Sequence, residues 1–382
     1  MIKVLTFSFY VLTCLNSFGQ QSKDKTIAQK LDEFLNSSNA VNKFNGTAIV
    51  AQKGQILLNK GYGFKNVATN SINHSNSIFQ IGSITKSFTA IIILKLQEEG
   101  KLSVQDKLSK FFPDYPHGNK ISIHNLLTHT SGIYNYANDI DEGDTAIVCH
   151  PVSKDRVLEV FKNKPLAFKP GKYFQYCNSG YFLLGMIIEK VTVKPYETVV
   201  REMIFNPLQM NHSGFDFKNL VDKNKTQGYV LLSRDTAKIN YTIDSTVYYS
   251  AGGIYSTSTD MYAWAKAIAN HELLNENSWK QAFTPYKENY GYGFWINQNI
   301  NGKKFIRHHG GLLGFTSDFI YFPDDDITII LLNNTGNGTN LIPVTLWLSV
   351  IVFGLPYSNW QIQPTELKVS DTTLRKYVYI SI

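Results

Sequence analysis

Apolar residues recur at helical spacing in several segments of the chain. In the polar stretch 21–42, Ile27, Leu31, Phe34 and Leu35 fall on one face, which predicts an amphipathic helix. Other segments with helical spacing are Tyr181–Val191 and Asp260–Asn270. These patterns predict a largely helical middle of the chain.

Strand-like runs lie near both ends of the chain and predict two β-hairpins. One pairs Thr47–Ala51 with Gln55–Asn59, and the other pairs Phe315–Phe322 with Ile327–Asn333. Strands at both ends with helices between them predict an α/β fold: one antiparallel β-sheet flanked by helices, with an inserted all-helical subdomain.

A late apolar run, Leu341–Leu355, spans about fifteen residues, whereas a membrane-spanning helix needs about twenty. We therefore predict a helix that packs on the sheet. At the other end of the chain, Lys3 precedes the apolar run Val4–Leu15 and the small residues Ser17 and Gly19. This pattern is typical of a secretory signal peptide over residues 1–19, cleaved before Gln20, and predicts a periplasmic or secreted protein.

Three cysteines bear on this address. Cys14 could instead carry a lipid, although its flanking residues fit a lipoprotein signal poorly. After cleavage Cys149 and Cys177 remain; they could pair in an oxidising compartment, but two cysteines do not form a disulfide framework for a chain of this size.

Composition adds little to the functional picture. At 382 residues, with 22 Tyr and 24 Phe, the chain can bury a large core. The net charge of +7 is spread along the sequence, which is typical of a solvated basic surface and gives no indication of nucleic acid as a partner.

The first chemical motif opens an apolar helical run. Ser83 and Lys86 stand three residues apart, so on a helix the amine can reach the hydroxyl. A serine at the start of a buried helix also lies where free backbone N–H groups favour developing negative charge. A second Ser-x-x-Lys, Ser22 to Lys25, has no buried helix behind it, and the spacing alone is weak evidence.

Two further motifs strengthen the interpretation that Ser83 and Lys86 act together in a reaction. Tyr176 and Asn178 place a phenol and an amide immediately before a predicted helix. His308 and Gly310 precede the second hairpin, where glycine would allow a ligand to approach the strand backbone closely.

Taken in order, Ser-x-x-Lys, Tyr-x-Asn and His-x-Gly resemble the serine β-lactamase and penicillin-recognising superfamily. The resemblance is to the branch of class C β-lactamases, D-Ala-D-Ala carboxypeptidases, esterases and D-aminopeptidases, and covers residues 25–355. Further segments that match in the same order are His124–Gly132, Lys169–Gly171, Ala251–Thr257, Tyr290–Phe294 and Gly314-Phe315. The resemblance implies a hydrolase domain over residues 20–358, then a linker and the truncated start of an appended β domain over 359–382.

The resemblance also implies roles. Ser83 would be the acylated nucleophile, Lys86 would share its proton, and Tyr176 would act as general base and then as acid. Asn178 would position the substrate amide and Lys86. Backbone N–H groups of Ser83 and Gly311 would form the oxyanion hole.

His308 would bind substrate together with Gly310, but it stands where β-lactamases usually carry lysine. Because histidine is only partly charged near neutral pH, Tyr176 is less easily ionised, and Lys86 becomes the favoured resting base. The same change weakens recognition of a substrate carboxylate.

The implied activity is that of an exported serine hydrolase acting on D-alanyl-type peptides, amides or small esters, peptidoglycan fragments among them, without a cofactor. Alternatives are a carboxylesterase, a weak class C-like β-lactamase, or a catalytically silent envelope binding protein. No metal site is predicted, because His124 and His129 are five residues apart and lack a third ligand. No acidic residue stands out as a base for deacylation.

Overall fold

Six strands form one antiparallel sheet whose centre is built from both ends of the chain. In the computed structural model, which describes residues 25–141, 148–233, 235–298, 302–336 and 340–360, these strands are β1 (Gly46–Gln52), β2 (Gln55–Tyr62), β9 (Trp295–Gln298), β10 (Lys304–Leu312), β11 (Phe315–Phe322) and β12 (Ile327–Asn333). Their order is β2-β1-β12-β11-β10-β9. Smaller two-stranded pairs are β3 (Phe64–Asn66) with β4 (Ser71–Ile72), β5 (Phe79–Gln80) with β8 (Tyr255–Ser256), and β6 (Tyr229–Leu232) with β7 (Ala237–Ile239).

Both predicted hairpins are confirmed, and they join each other through β1 and β12. Gly46 pairs with Asn333 at one end of this contact and Gln52 with Ile327 at the other. The β1–β2 turn places Lys53 and Gly54 at φ of 51° and 73°, the left-handed conformation that a tight hairpin turn requires.

The sequence analysis did not predict β9 and β10. It placed the His308 motif ahead of a hairpin, whereas this motif lies within β10, which pairs with β11.

Helices cover both faces of the sheet and supply the helical region between its strands. They are α1 (Ile27–Ala40), α2 (Thr85–Glu98), α3 (Leu108–Phe111), α4 (Ile123–Leu127), α5 (Ala137–Asp141), α6 (Lys154–Lys162), α7 (Asn178–Thr192), α8 (Tyr196–Val200), α9 (Ser245–Gly252), α10 (Ser258–Ala269), α11 (Glu276–Ala282) and α12 (Ile342–Val352). Short 3₁₀ turns cover Gly82–Ile84, Phe217–Asn219 and Lys287–Asn289, and Arg201–Phe205 form a π-helical turn.

The sheet separates two apolar cores. Along β12, Ile329 and Leu331 pack in one core with α1 and α12, whereas Ile330 and Leu332 belong to the larger core, which contains α2, α7 and α10. Because both faces of β12 are covered, its sequence is a continuous apolar run rather than an alternating one.

The predicted late helix is present as α12 and packs on the sheet. In the described part of the chain, every helix is too short or too polar to span a bilayer. The predicted signal peptide with Cys14, and the segment 361–382 of the predicted appended domain, lie outside the described residues.

Candidate active site

Ser83 lies in the 3₁₀ turn Gly82–Ile84, directly before α2. The helix itself is buried over Thr85–Leu94, which fixes the turn against the larger core. Lys86 is in the first turn of α2, and its Nζ lies 3.0 Å from Ser83 Oγ. The predicted approach of the amine to the hydroxyl is therefore present.

The amine of Lys86 has two other close partners. Its Nζ donates to Asn178 Oδ1 at 2.7 Å and to the backbone carbonyl of Ala251 at 2.8 Å. The side chain is fully buried, and this burial lowers its pKa well below the usual 10.5. Burial therefore favours the uncharged form of the amine.

An uncharged amine has two N–H groups and one lone pair. Asn178 Oδ1 and the Ala251 carbonyl can only accept hydrogen bonds, so they take both N–H groups of Lys86. The lone pair then faces Ser83 Oγ. This geometry fits the predicted role of Lys86 as the group that takes the proton of Ser83.

A strained turn delivers the carbonyl of Ala251. Tyr249 has φ 41° and ψ −122° within α9, a conformation that L-residues rarely adopt. After it, Ser250 accepts from Thr89 Oγ1 through its carbonyl at 2.7 Å, and Ala251 accepts from Lys86. The strain at Tyr249 therefore lies next to two carbonyls directed at α2.

The phenol of Tyr176 is close to both groups. Lys86 Nζ lies 4.7 Å from the centre of its ring. Burial raises the pKa of Tyr176, and this effect exceeds the opposing hydrogen bond with Ser83. Tyr176 therefore keeps its proton at neutral pH, which leaves Lys86 as the resting base and makes the phenol available as a proton donor.

The turn of Ser83 approaches strand β10 very closely. β9 pairs with β10 only as far as Arg307, so the edge beyond it faces the turn. A Cβ added to Gly82 would lie 2.9 Å from Gly311 N, and one added to Gly310 would lie 2.0 Å from the carbonyl oxygen of Ile81. This contact brings together the chain segments that carry the two predicted oxyanion-hole amides, those of Ser83 and Gly311.

His308 is fully buried and both of its ring nitrogens have partners. Nδ1 lies 2.7 Å from the His309 carbonyl, which can only accept, so Nδ1 carries the proton. Nε2 then accepts from the Tyr290 hydroxyl at 3.1 Å. Burial lowers the pKa of His308 well below 6.5, so the ring is neutral rather than partly charged as the sequence suggested.

A model of the protein family described as Beta-lactamase matches residues 31–343. The chain belongs to this family. It is a serine hydrolase, and Ser83, Lys86 and Tyr176 converge as the resemblance implied. The fold class predicted from the sequence is confirmed.

Three similar proteins illustrate the range of this family. A putative penicillin-binding protein PbpX of Bacillus subtilis is 32% identical over 323 residues, covering 84% of this chain and 78% of that protein. A teichoic acid D-alanine hydrolase of Staphylococcus aureus is 29% identical over 320 residues, covering 81% and 74%. The crystal structure of a penicillin binding protein from Bacillus halodurans, 29% identical, superposes with a TM-score of 0.74 over 86% of this chain and 99% of that chain.

Substrate contacts of the predicted residues stay a prediction in this β-lactamase-family site. Asn178 is mostly buried and positions Lys86, and Gly310 packs against Ile81. Gly311 is exposed, and open space surrounds the position of its absent Cβ. His308 is fully buried, and its Nε2 is already paired with the Tyr290 hydroxyl.

The sequence analysis missed Trp295, the residue that follows the Tyr290–Phe294 segment. Its indole stacks on the Tyr176 ring with centroids 5.8 Å apart and planes 7° apart. It also stacks on the exposed ring of His309 at 5.0 Å. The motif immediately before Trp295 was a usable signal for its place in the site.

Two other candidates of the sequence, Cys177 and His124, have contacts with residues other than Ser83 and Lys86. The Cys177 thiol is buried 3.3 Å from the Ile133 carbonyl, burial raises its pKa, and neither it nor Cys149 is in a disulfide. His124 contacts the Tyr292 hydroxyl at 2.8 Å. Among residues that the structure describes, no cluster of three His, Cys, Asp or Glu could hold a metal ion.

The close approach of β10 to the Ser83 turn predicts opposite outcomes for two neighbouring glycines. Gly310→Ala should lower the free energy of unfolding by at least about 2 kcal/mol, because the new methyl group meets the Ile81 backbone. Gly311→Ala should change it by less than about 0.5 kcal/mol, because its methyl group enters open space. Urea unfolding of both variants measures the difference, and equal losses would contradict the geometry.

The buried amine of Lys86 predicts the pH dependence of acylation. Its neutral fraction rises with pH through the lowered pKa, so the rate of Ser83 labelling by an uncharged phosphonate should rise and then level off well below pH 10.5. Lys86→Met should label at least about 100-fold more slowly at every pH. A rate that still increases where an exposed lysine titrates would show that Lys86 is not held neutral.

Proposed function

We propose that this protein hydrolyses ester or amide derivatives of D-alanine or of short D-alanyl peptides that carry no carboxylate beside the scissile bond, through an acyl-enzyme on Ser83. The observation that carries the proposal is electrostatic: Lys86, His129 and His308 are buried around the reacting centre, and burial lowers the pKa of each well below its ordinary value, which disfavours a positive charge there. A substrate with a carboxylate beside its scissile bond needs a positive partner there. Arg307 does not supply one, since it is buried in an ion pair with Asp318.

Similarity to a named D-alanine hydrolase supports the choice of acyl group. The Staphylococcus aureus relative is called a teichoic acid D-alanine hydrolase, and its match covers 81% of this chain. We transfer the D-alanyl group to the proposal and leave the carrier open, because the carrier contacts parts of the surface that no motif reports.

The proposed reaction has two steps. Ser83 attacks the substrate carbonyl while Lys86 takes its proton, and the N–H groups of Ser83 and Gly311 stabilise the oxyanion. The proton then passes through Tyr176 to the leaving alcohol or amine as the acyl–oxygen or acyl–nitrogen bond breaks. Water hydrolyses the resulting ester on Ser83, which releases D-alanine or the D-alanyl peptide as the free acid and restores the serine hydroxyl.

The test compares two D-alanyl peptides that differ only in a carboxylate, and two alanine methyl esters of opposite configuration. The C-terminal amide of an N-acylated D-Ala-D-Ala peptide should be hydrolysed at its D-Ala–D-Ala bond with a kcat/KM at least about tenfold above that of the free acid, because burial disfavours the positive charge on Lys86 and His308 that the carboxylate would need. D-alanine methyl ester should also be hydrolysed. L-alanine methyl ester should be the poorer of the two esters. Ser83→Ala, which removes only the nucleophile, should abolish all turnover.

Other outcomes of this experiment identify the alternatives. Equal turnover of the two enantiomers would identify a carboxylesterase. Faster turnover of the free-acid D-Ala-D-Ala peptide, or of a penicillin followed by intact mass, would assign the protein to carboxypeptidases or weak β-lactamases and overturn the proposal. Complete lack of turnover and of phosphonate labelling would identify a silent binding protein.

We also propose that the chain is exported, on the charge and apolar pattern of residues 1–19. The mature protein from a periplasmic fraction should begin at Gln20 on N-terminal sequencing. Leu12→Arg should block processing, because a charge interrupts the apolar segment. Full-length protein in the cytoplasmic fraction would contradict export, and a lipid on Cys14 would replace this cleavage site.

A further inference from the structure

His129 forms two hydrogen bonds that bracket Tyr176. Its backbone carbonyl accepts from Gln175 N at 2.9 Å, and its ring Nδ1 accepts from Cys177 N at 3.1 Å. The backbone N–H groups of the residues immediately before and after Tyr176 are therefore both bonded to His129, one to its backbone carbonyl and the other to its ring. Asn178, which orients Lys86, is the next residue along.

The ring of His129 also packs directly on the Tyr176 ring. Their centroids are 4.3 Å apart, the shortest of its four aromatic contacts. The other three rings are Tyr290 at 4.7 Å, Tyr181 at 5.1 Å and Phe174 at 5.8 Å. Because His129 is only 1% exposed, these four neighbouring rings restrict the movement of its side chain.

The hydrogen bonds of His129 are those of a fixed neutral ring. Nδ1 accepts a backbone N–H, so the proton of the neutral imidazole is on Nε2. Nε2 has no hydrogen-bond partner among the described residues, and burial lowers the pKa of the ring well below 6.5. Because Nδ1 already accepts a hydrogen bond, the ring has no free lone pair that could take a proton from a substrate. Nε2 has no described partner to which it could pass its own proton.

We propose that His129 is a positioning residue, whose Nδ1 holds Tyr176 and Asn178 in register with Ser83 and Lys86. Loss of this acceptor would free the Cys177 amide and let both side chains shift. Displacements of about 1 Å in such a site slow the reaction by about 100-fold. The inference rests on the serine chemistry of the family and is independent of the proposed D-alanyl substrate.

Two substitutions isolate the acceptor. His129 has φ 56°, a conformation that Asn and Gly both adopt readily, and both residues remove the ring. Only Asn places an oxygen where Nδ1 was. His129→Asn should retain a kcat within about threefold of that of a reference variant, His124→Asn. His129→Gly should lose about 10- to 100-fold in kcat with little change in KM.

His124→Asn serves as the reference because it makes the same substitution in the same segment, outside the reacting groups. A third variant, His129→Phe, keeps an aromatic ring and lacks the acceptor, so its kcat should fall like that of the Gly variant. Circular dichroism and thermal melting identify any variant that is unfolded at the assay temperature, and an ester of phenol serves as substrate for all.

Three results would overturn the inference. Equal kcat for the Asn and Gly variants would show that the acceptor is dispensable, and an unimpaired Phe variant would show the same when the Gly variant is unstable. A pH profile that loses one limb in the Asn variant would assign proton transfer to His129 instead. The expected profile keeps the shape and midpoint of the parent while only its height changes.

Discussion

The cost of charging one buried amine governs this site. Two carbonyl oxygens, those of the Asn178 side chain and the Ala251 backbone, accept hydrogen bonds from the Lys86 amine. The remaining position on its nitrogen faces Ser83 Oγ. The lowered pKa of Lys86 requires that helix α2 be buried from its first turn, because an exposed lysine would remain an ammonium ion at neutral pH. The elements packed around α2 exclude water from this nitrogen and bring hydrogen-bond acceptors to it.

Two costly features of the backbone maintain that environment. One is the strained conformation of Tyr249, two residues before the carbonyl that Lys86 contacts. The other is the close approach of β10 to the turn at Ile81, which the absence of a Cβ at Gly310 and at Gly82 permits. From the opposite face, Arg307 of β10 forms a buried ion pair with Asp318, whose carboxylate also accepts from Thr345 of α12. Successive residues of β10 therefore anchor the strand on one side and border the site on the other.

Patterns and spacing predicted the hairpins, the sheet shared by both ends of the chain, and the partnership of Ser83 with Lys86. They could not predict the Ala251 contact, because a backbone carbonyl has no signature in the side-chain sequence. The neutral state of His308 was missed for a related reason: it depends on burial and on Tyr290, a residue of another segment. Trp295 and the bracketing by His129 likewise arise from packing between elements, which local spacing does not encode.

Burial of Lys86 also shapes the later half of the reaction. In the proposed reaction, Lys86 becomes an ammonium ion when it takes the serine proton, in a site that disfavours charge, and its lowered pKa makes it a correspondingly strong acid. The neutral phenol of Tyr176 lies beside it and can pass that proton toward the leaving group. Amine leaving groups need this proton more than alcohols do, because an amide anion is a far stronger base than an alkoxide. In the proposed reaction, desolvation of one lysine thus serves nucleophile activation first and bond cleavage second, for amides as well as for esters.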